Sequence, residues 1–441
     1  MKKIATCSFI TLGCKVNQYE TDFMTQSLLN EGYKVQPISP DTDVIIINTC
    51  TVTNEADRKS RQLIRKAKKT SPNATTIAMG CSVQVMKRES IRIADYHFGN
   101  GEKGDIVNII KGIEKGQTTP SVDRAYWLRH NQLTYTLSDS GSKTRQNIMI
   151  QEGCTNACSY CKIYHARGTI SRSKNPELIC SEINRIGEKA CKEFILTGIN
   201  LGAYEWKGLK LTGLLKIIDD EVNPNYRIRL SSLNPEDVTD ELCEHLRKER
   251  YCSHLHLSIQ SGSNDVLKRM NRKYTADTVK SVVMKLRAID PFYSISCDII
   301  VGFPGETDED FQDTLNLIKA IQPLKTHVFR YSTKKGTPAA RFNQQVNGKI
   351  KRERSSKLDK IAKDISYQVR KDHVGKVREI IVESATKGQL TGHDSYYLKH
   401  TVQDFDKNYT EGEKIKTKIE NVPEKSEPDE VNASIVSIHE W

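Results

Sequence analysis

Three of the chain's 12 cysteines, Cys154, Cys158 and Cys161, fall within eight residues in the stretch QEGCTNACSYCKIYHARG. Cysteine thiolates are the usual ligands of iron–sulfur clusters. Three of them on a four-iron cluster leave one iron open to chelate a substrate, as an open zinc position can hold water. A structural zinc site would need a fourth ligand. His165, four residues past Cys161, is the nearby donor, at a looser spacing than a paired Cys-x-x-Cys knuckle. A second set of three is spread over the preceding sequence. Cys14 closes TLGC, Cys50 closes IIINTC and Cys81 closes AMGC, each at the end of an apolar, strand-like run. In a parallel sheet those ends share one edge, the edge where ligands bind. Burial as a small hydrophobe accounts for any one of them. Three at equivalent strand ends point to a second site. Cys7, Cys180, Cys191, Cys243, Cys252 and Cys297 have no comparable placement and read as structural.

These residues need elements to hold them. In residues 1–120, the run ending in Cys14 reads as a strand, residues 17–31 as an amphipathic helix with Phe23, Met24, Leu28 and Leu29 on its apolar face, DVIIINTC as a buried strand, residues 54–69 as a second helix and TTIAMGC as a third strand. That alternation predicts a doubly wound α/β domain. Residues 121–142 are polar and turn-rich and read as a linker. Residues 143–372 alternate again. Six strand candidates (QNIMIQ, EFILTG, YRIRLSSL, HLHLSIQ, YSISCDIIVGF, THVFRYS) are separated by helices near 176–189, 211–220, 235–249, 275–288 and 307–320, and a basic helix follows. Six units are too few for a full eight-unit barrel, so a partial, TIM-like (β/α)6 barrel is expected. The Cys154 loop then lies at the carboxyl end of its first strand, where sites of this architecture sit. Residues 373–441 carry short alternating stretches between turns, predicting a small β-barrel related to the OB fold.

A net charge of +12 suggests an anionic partner, with nucleic acid first. Arg58, Lys59, Arg61 and Arg65 crowd one helix, and a second basic run spans Lys349 to Lys363. Residues from 373 onward are net acidic, nine Lys/Arg against thirteen Asp/Glu, so either their charges segregate onto two faces or most phosphate binding happens elsewhere; the first is expected, with Lys376, Arg378, Lys387 and Lys399 on the RNA side. No apolar run approaches the length of a membrane span. The N-terminal apolar stretch is interrupted by Thr11 and Gly13 and runs into Lys15, so it reads as a strand and not as a secretion signal. A cytoplasmic protein with reduced thiols, no membrane partner and a monomeric state is expected.

Cys-x3-Cys-x2-Cys after a first barrel strand resembles the signature of the radical S-adenosylmethionine superfamily. TLGCKVNQYET, NTCTVTNEADRKSRQ, GCSVQ, LHLSIQSGSNDVLKRMNRKYT and DIIVGFPGETDEDF closely resemble the tRNA methylthiotransferases, and the resemblance covers nearly the whole chain, including a C-terminal TRAM module. LGCKVNQYET and TVTNEADRKSRQ are most similar to the branch that modifies N6-threonylcarbamoyladenosine beside the anticodon. The isopentenyladenosine branch, and the branch that methylthiolates a ribosomal-protein aspartate, are less similar. One departure is CSYCKIYHARG, where relatives often carry CxYCxIPxARG: Tyr164 stands in place of the proline, which touches loop shape and not the ligands.

The resemblance implies two 4Fe-4S clusters, one on Cys154, Cys158 and Cys161 that binds S-adenosylmethionine, and an auxiliary one on Cys14, Cys50 and Cys81. It implies that Tyr160 lies near the adenine of S-adenosylmethionine and that Thr197 and Gly198 contact its methionyl amine, with Ser231, Gln260 and Asp298 facing the same rim. It also implies that one molecule of S-adenosylmethionine methylates sulfur and a second is cleaved, so that C2 of the adenine exchanges hydrogen for a methylthio group. The partners implied are a tRNA anticodon stem-loop, an electron donor of the flavodoxin or ferredoxin kind, and a sulfur source. No general acid or base in these motifs would activate that C–H bond, so no side chain is assigned as catalytic.

Overall fold

The computed structural model describes residues 4–51, 54–85, 93–117, 122–123, 126, 133–139, 141, 143–386, 388–403, 405, 408–424 and 427–436. The first unit is a five-stranded sheet in the order β2-β1-β3-β4-β5, with every pair parallel: β1 Thr6–Thr11, β2 Lys34–Val35, β3 Val44–Thr49, β4 Thr75–Gly80 and β5 Tyr96–Phe98. All six residues of β3 are buried, because helices cover both faces. Met24 and Leu28 of helix Lys15–Asn30 and Ile109 and Ile110 of helix Ile106–Glu114 pack on Val44 and Ile46. Ile64 and Ala67 of helix Asn54–Thr70 pack on Ile45 and Ile47. The expected doubly wound layer is thus present. The first helix begins two residues earlier than expected. It also serves two cores: Val16 and Tyr19 join the core of the next unit. Leu29, expected on the apolar face, is 49% exposed.

The stretch expected as a linker is strapped down where it is described. Tyr135 stacks on Phe23 at 4.8 Å, Leu137 is buried, and the Tyr126 hydroxyl donates to Glu152 at 2.9 Å.

The central unit is the expected partial barrel. Its parallel strands are β6 Arg145–Glu152, β8 Glu193–Gly198, β11 Arg227–Leu230 continued as β12 Ser232–Leu233, β13 His254–Gln260, β14 Ser294–Val301 and β15 Lys325–Arg330. A short antiparallel β7 (Arg172–Ser173) borders β6, and β9 (Glu205–Trp206) with β10 (Leu209–Lys210) forms a hairpin. The expected strand YRIRLSSL is split at Ser231, which divides the wall into two four-stranded sheets. Intervening helices begin on side-chain caps: Asn175 caps a helix with Pro176 in its first turn, and Thr239, Thr275 and Thr307 cap the helices that follow them. The helix expected over 235–249 shrinks to Asp240–Leu246, because Pro235 and the Asn234 capping box first make a separate 3-10 turn.

Helix Gly348–Lys371 runs along β15 and leads to a closed five-stranded barrel of β16 Val377–Thr386, β17 Gln389–Asp394, β18 Lys399–Gln403, β19 Lys414–Asn421 and β20 Glu430–Ile435. β17, with Gly392 and few apolar residues, carries no strand signal in its sequence. This small barrel caps the amino end of the large one. Arg227 donates to the His393 carbonyl and Arg229 to the Asp394 carbonyl, both at 3.0 Å. Both guanidiniums also bind the buried Glu193, at 2.9 and 2.7 Å. The Tyr397 ring stacks on His254 at 4.7 Å.

Candidate cofactor site

The Cys154 loop leaves β6 through Gly153, whose φ of +82° and close approach to the Ile170 carbonyl admit no side chain. The loop is pinned on both sides. Cys154 N donates to Gly168 O at 3.1 Å, Ser159 N to Met270 O at 3.1 Å, and Ser159 Oγ to Arg269 O at 2.8 Å. The sulfurs receive N–H donors: Arg272 reaches Cys158 Sγ at 3.3 Å and Ile163 N reaches Cys161 Sγ at 3.4 Å. Burial of the sulfur pushes the Cys161 thiol up to about 12 and raises Cys154 as well. Without metal these are neutral thiols, so loading releases protons.

A cavity of about 290 Å³ opens beside the loop and is lined by all three cysteines. Of the residues expected around the cofactor, Tyr160, Gln260 and Asp298 line it. Thr197, Gly198 and Ser231 are not among its lining residues: Thr197 and Ser231 are buried in the wall, and Gly198 lies against the Gln151 side chain. Asn200, Asn234, Ser258 and Arg272 supply polar lining that sequence reading missed. Asn234 and Arg272 hydrogen-bond each other at 2.7 Å, and the Asn-Pro of SSLNPED, a helix-start signal, was the visible trace of this corner. Gln260 reaches the cavity from a left-handed backbone with φ of 66°, at an irregularity in the β13–β14 register. Asp298 bonds His256 at 3.1 Å, with His327 close by.

The second cysteine set converges as its strand ends predict. Cys14, Cys50 and Cys81 follow β1, β3 and β4, and Cys14 and Cys50 flank the β1/β3 point where the strand order reverses. Gly13 and Gly80 turn these loops with φ of +106° and +103°, and a side chain at Gly13 would strike Cys50. Asn17 holds two of the strand ends together, donating to Leu12 O at 2.6 Å and to Thr49 O at 3.0 Å. Arg167 Nε donates to Cys81 Sγ at 3.2 Å. From the other side the Lys334 ammonium, which lines the cavity, donates to the carbonyl of Thr51, next to Cys50. The two triplets therefore flank one interface. Each offers three sulfurs and N–H donors to sulfur, which fits a cluster held by three thiolates. The other six cysteines are all buried.

The residues expected to meet RNA divide. Arg58, Lys59 and Arg65 are exposed along one helix face and Arg61 is half-buried. In the C-terminal barrel Lys376 is exposed, with its ammonium 5.1 Å from the Phe292 ring. Two of the other expected contacts there, Arg378 and Lys399, are occupied. The Arg378 guanidinium lies 4.1 Å from the Tyr396 ring and 5.4 Å from Phe292, between the two barrels. Lys399 pairs with Glu430 at 3.1 Å. Lys387 lies outside the described residues.

Comparison with known proteins agrees with this geometry. Residues 148–318 match the radical SAM superfamily, and residues 6–98 match the uncharacterized protein family UPF0004. The chain is 42% identical over 394 residues to the threonylcarbamoyladenosine tRNA methylthiotransferase MtaB of Thermotoga maritima, covering 88% of this chain and 89% of that one. It belongs to the tRNA methylthiotransferase family. The Bacillus subtilis protein of the same name is 38% identical, with 90% of each chain covered. The radical S-adenosylmethionine methyltransferase TsrM of Kitasatospora setae shares the fold of this tRNA methylthiotransferase at a TM-score of 0.59 and 14% identity, over 77% of each chain. Among the described residues no helix is long and apolar enough to cross a membrane.

Proposed function

We propose that this chain methylthiolates C2 of N6-threonylcarbamoyladenosine at position 37, next to the anticodon of tRNA, in the cytoplasm. The observation that carries the reading is a cavity lined by Cys154, Cys158 and Cys161, from whose wall Lys334 reaches to the carbonyl next to Cys50 of the second triplet. Two 4Fe-4S clusters and S-adenosylmethionine, when bound, would supply reductive sulfonium cleavage at one triplet and the methylthio sulfur at the other. Cys154, Cys158 and Cys161 would hold the first, and Cys14, Cys50 and Cys81 the second. Residues 1–120 carry the auxiliary site, 143–372 the barrel and 373–441 the TRAM module in this reading.

The chain's own side chains shape and dry the site. Tyr160 packs edge-on to Phe303 at 6.4 Å and offers a flat wall to an adenine. Asn200, Asn234 and Gln260 present amide donors and acceptors to a bound polar group. Arg272 is fixed by Cys158, Tyr274 and Asn234, so its charge stays beside the first triplet. An anticodon loop presents unstacked bases, the usual target of sequence-specific RNA reading. The exposed basic residues of helix Asn54–Thr70, which starts four residues after Cys50, support phosphate contacts. A small electron-transfer protein and a separate sulfur source complete the cycle.

Nucleoside mass spectrometry of tRNA from a strain lacking the gene tests this. Loss of the 2-methylthio-N6-threonylcarbamoyl nucleoside, restored by the gene, is expected. An unchanged profile would rule the substrate out.

A further inference from the structure

Arg167 lies six residues beyond Cys161, in the loop of the first triplet, yet its side chain is spent on the other unit. It is fully buried. A guanidinium has five N–H donors, and all five find acceptors here. Two go to the Glu20 carboxylate, one to Glu152 at 2.9 Å, one to Asn17 Oδ1 at 2.5 Å and one to Cys81 Sγ at 3.2 Å. Asn17 is the residue that ties the strand ends before Cys14 and Cys50. A single side chain thus touches one auxiliary cysteine directly and, through Asn17, the strand ends that precede the other two.

Charge points the same way. Among the described residues the buried network joins Arg167, Lys103 and Arg172 to Glu20 and Glu152. Of these cations Arg167 faces Cys81, where its charge is met by anionic sulfur when the triplet is loaded. A buried charge persists only when compensated.

We propose that Arg167 is a positioning residue for the auxiliary cluster. It fixes Cys81, offsets the negative charge of the cluster and makes the second site depend on the loop of the first. This role rests on the two-cluster reading above. Hydrogen bonds and positive charge at cluster sulfur favour the reduced state, so Arg167 raises the auxiliary potential.

The test uses the full chain with Cys154, Cys158 and Cys161 replaced by alanine, so that any remaining cluster signal is auxiliary. Its potential is read by redox titration followed by electron paramagnetic resonance. Arg167→Lys keeps the charge and loses the fork. Arg167→Gln combined with Glu20→Gln removes one buried charge of each sign and should fold, which a melting curve checks. The potential is expected to fall in both, further in the double variant, with less iron retained after gel filtration. Unchanged potential and iron content in both would overturn the role of Arg167 while leaving two clusters in place. A parent chain that binds no iron would overturn the two-cluster reading and this role with it.

Discussion

The ammonium of Lys334 donates to the main-chain carbonyl of Thr51, 283 residues earlier in the chain. It also lies 3.5 Å from Asp57, whose carboxylate accepts from Ser82 Oγ at 2.5 Å, and that hydroxyl bonds Cys50 O at 2.8 Å. The wall of the barrel cavity is therefore joined by one lysine to the loop that carries Cys50.

Lys334→Met should loosen that joint. Lys334 is only 4% exposed, and removing one partner of a buried ion pair costs about 3–5 kcal/mol. Part of that is regained here, because Asp57 keeps the Ser82 bond and some solvent. A loss of about 2 kcal/mol is expected in chemical denaturation, together with methylthiolation reduced by roughly tenfold or more. Cleavage of S-adenosylmethionine should fall much less. Equal loss of both would mean that Lys334 acts on the first site and not on the joint.

The two triplets should separate by function. Alanine at Cys154, Cys158 and Cys161 should abolish cleavage of S-adenosylmethionine. Alanine at Cys14, Cys50 and Cys81 should leave cleavage and remove methylthio product. Anaerobically reconstituted chain should carry about eight irons, and either triple variant about four. Zinc in place of iron in the parent chain would sink the cluster assignment.

Acid should expose the buried network. Burial alone would raise the Glu20 carboxyl, but Arg167 and then Lys103 outweigh it and hold it at about 2, against 4.5 for a free glutamate. A depressed carboxyl contributes stability that is present above the unfolded value and lost as pH falls toward 2. His373 adds an earlier window. Burial holds it at about 4 against 6.5, so it too withdraws stability as pH falls, between those values. Melting temperature should therefore decline in two stages on acidification. Glu20→Gln should make the stage below pH 4.5 shallower, with Glu193, held down by Arg229 and Arg227, supplying part of the rest, and should leave the earlier one; a Glu20→Gln profile parallel to the parent's would contradict this account.

What could be read in the sequence follows from range. Both cysteine sets were legible because strand ends are local: an apolar run ends, a thiol follows, and parallel packing brings the ends together. The partial barrel was legible from its alternating periods. Arg167 was not, although HARG was in plain view, because its partners Glu20 and Cys81 lie in another unit and no period links them. Leu29 misled for the same reason: helix Lys15–Asn30 packs on two units, so its stripe is split. Arg378 and Lys399 read as RNA-facing from charge alone. Arg378 is held between barrels by rings of Tyr396 and Phe292 that the sequence places far from one another.

That last distinction sorts the basic residues by experiment. Arg58, Lys59 and Arg65 are exposed on helix Asn54–Thr70, so reversing them to glutamate should weaken tRNA binding across sequences. For every phosphate that is deprived of its cation, the plot of log affinity against log salt should flatten by about 0.7–0.9. The melting temperature should barely move, because surface charges of this kind are worth little to stability. Arg378→Glu should do the opposite. It places a carboxylate against the faces of Tyr396 and Phe292, where a cation was stabilised, and loosens the seam between the barrels. Stability should fall by about 1–3 kcal/mol, with the salt slope unchanged. A reduced salt slope in Arg378→Glu, with stability intact, would put that residue back on the RNA face.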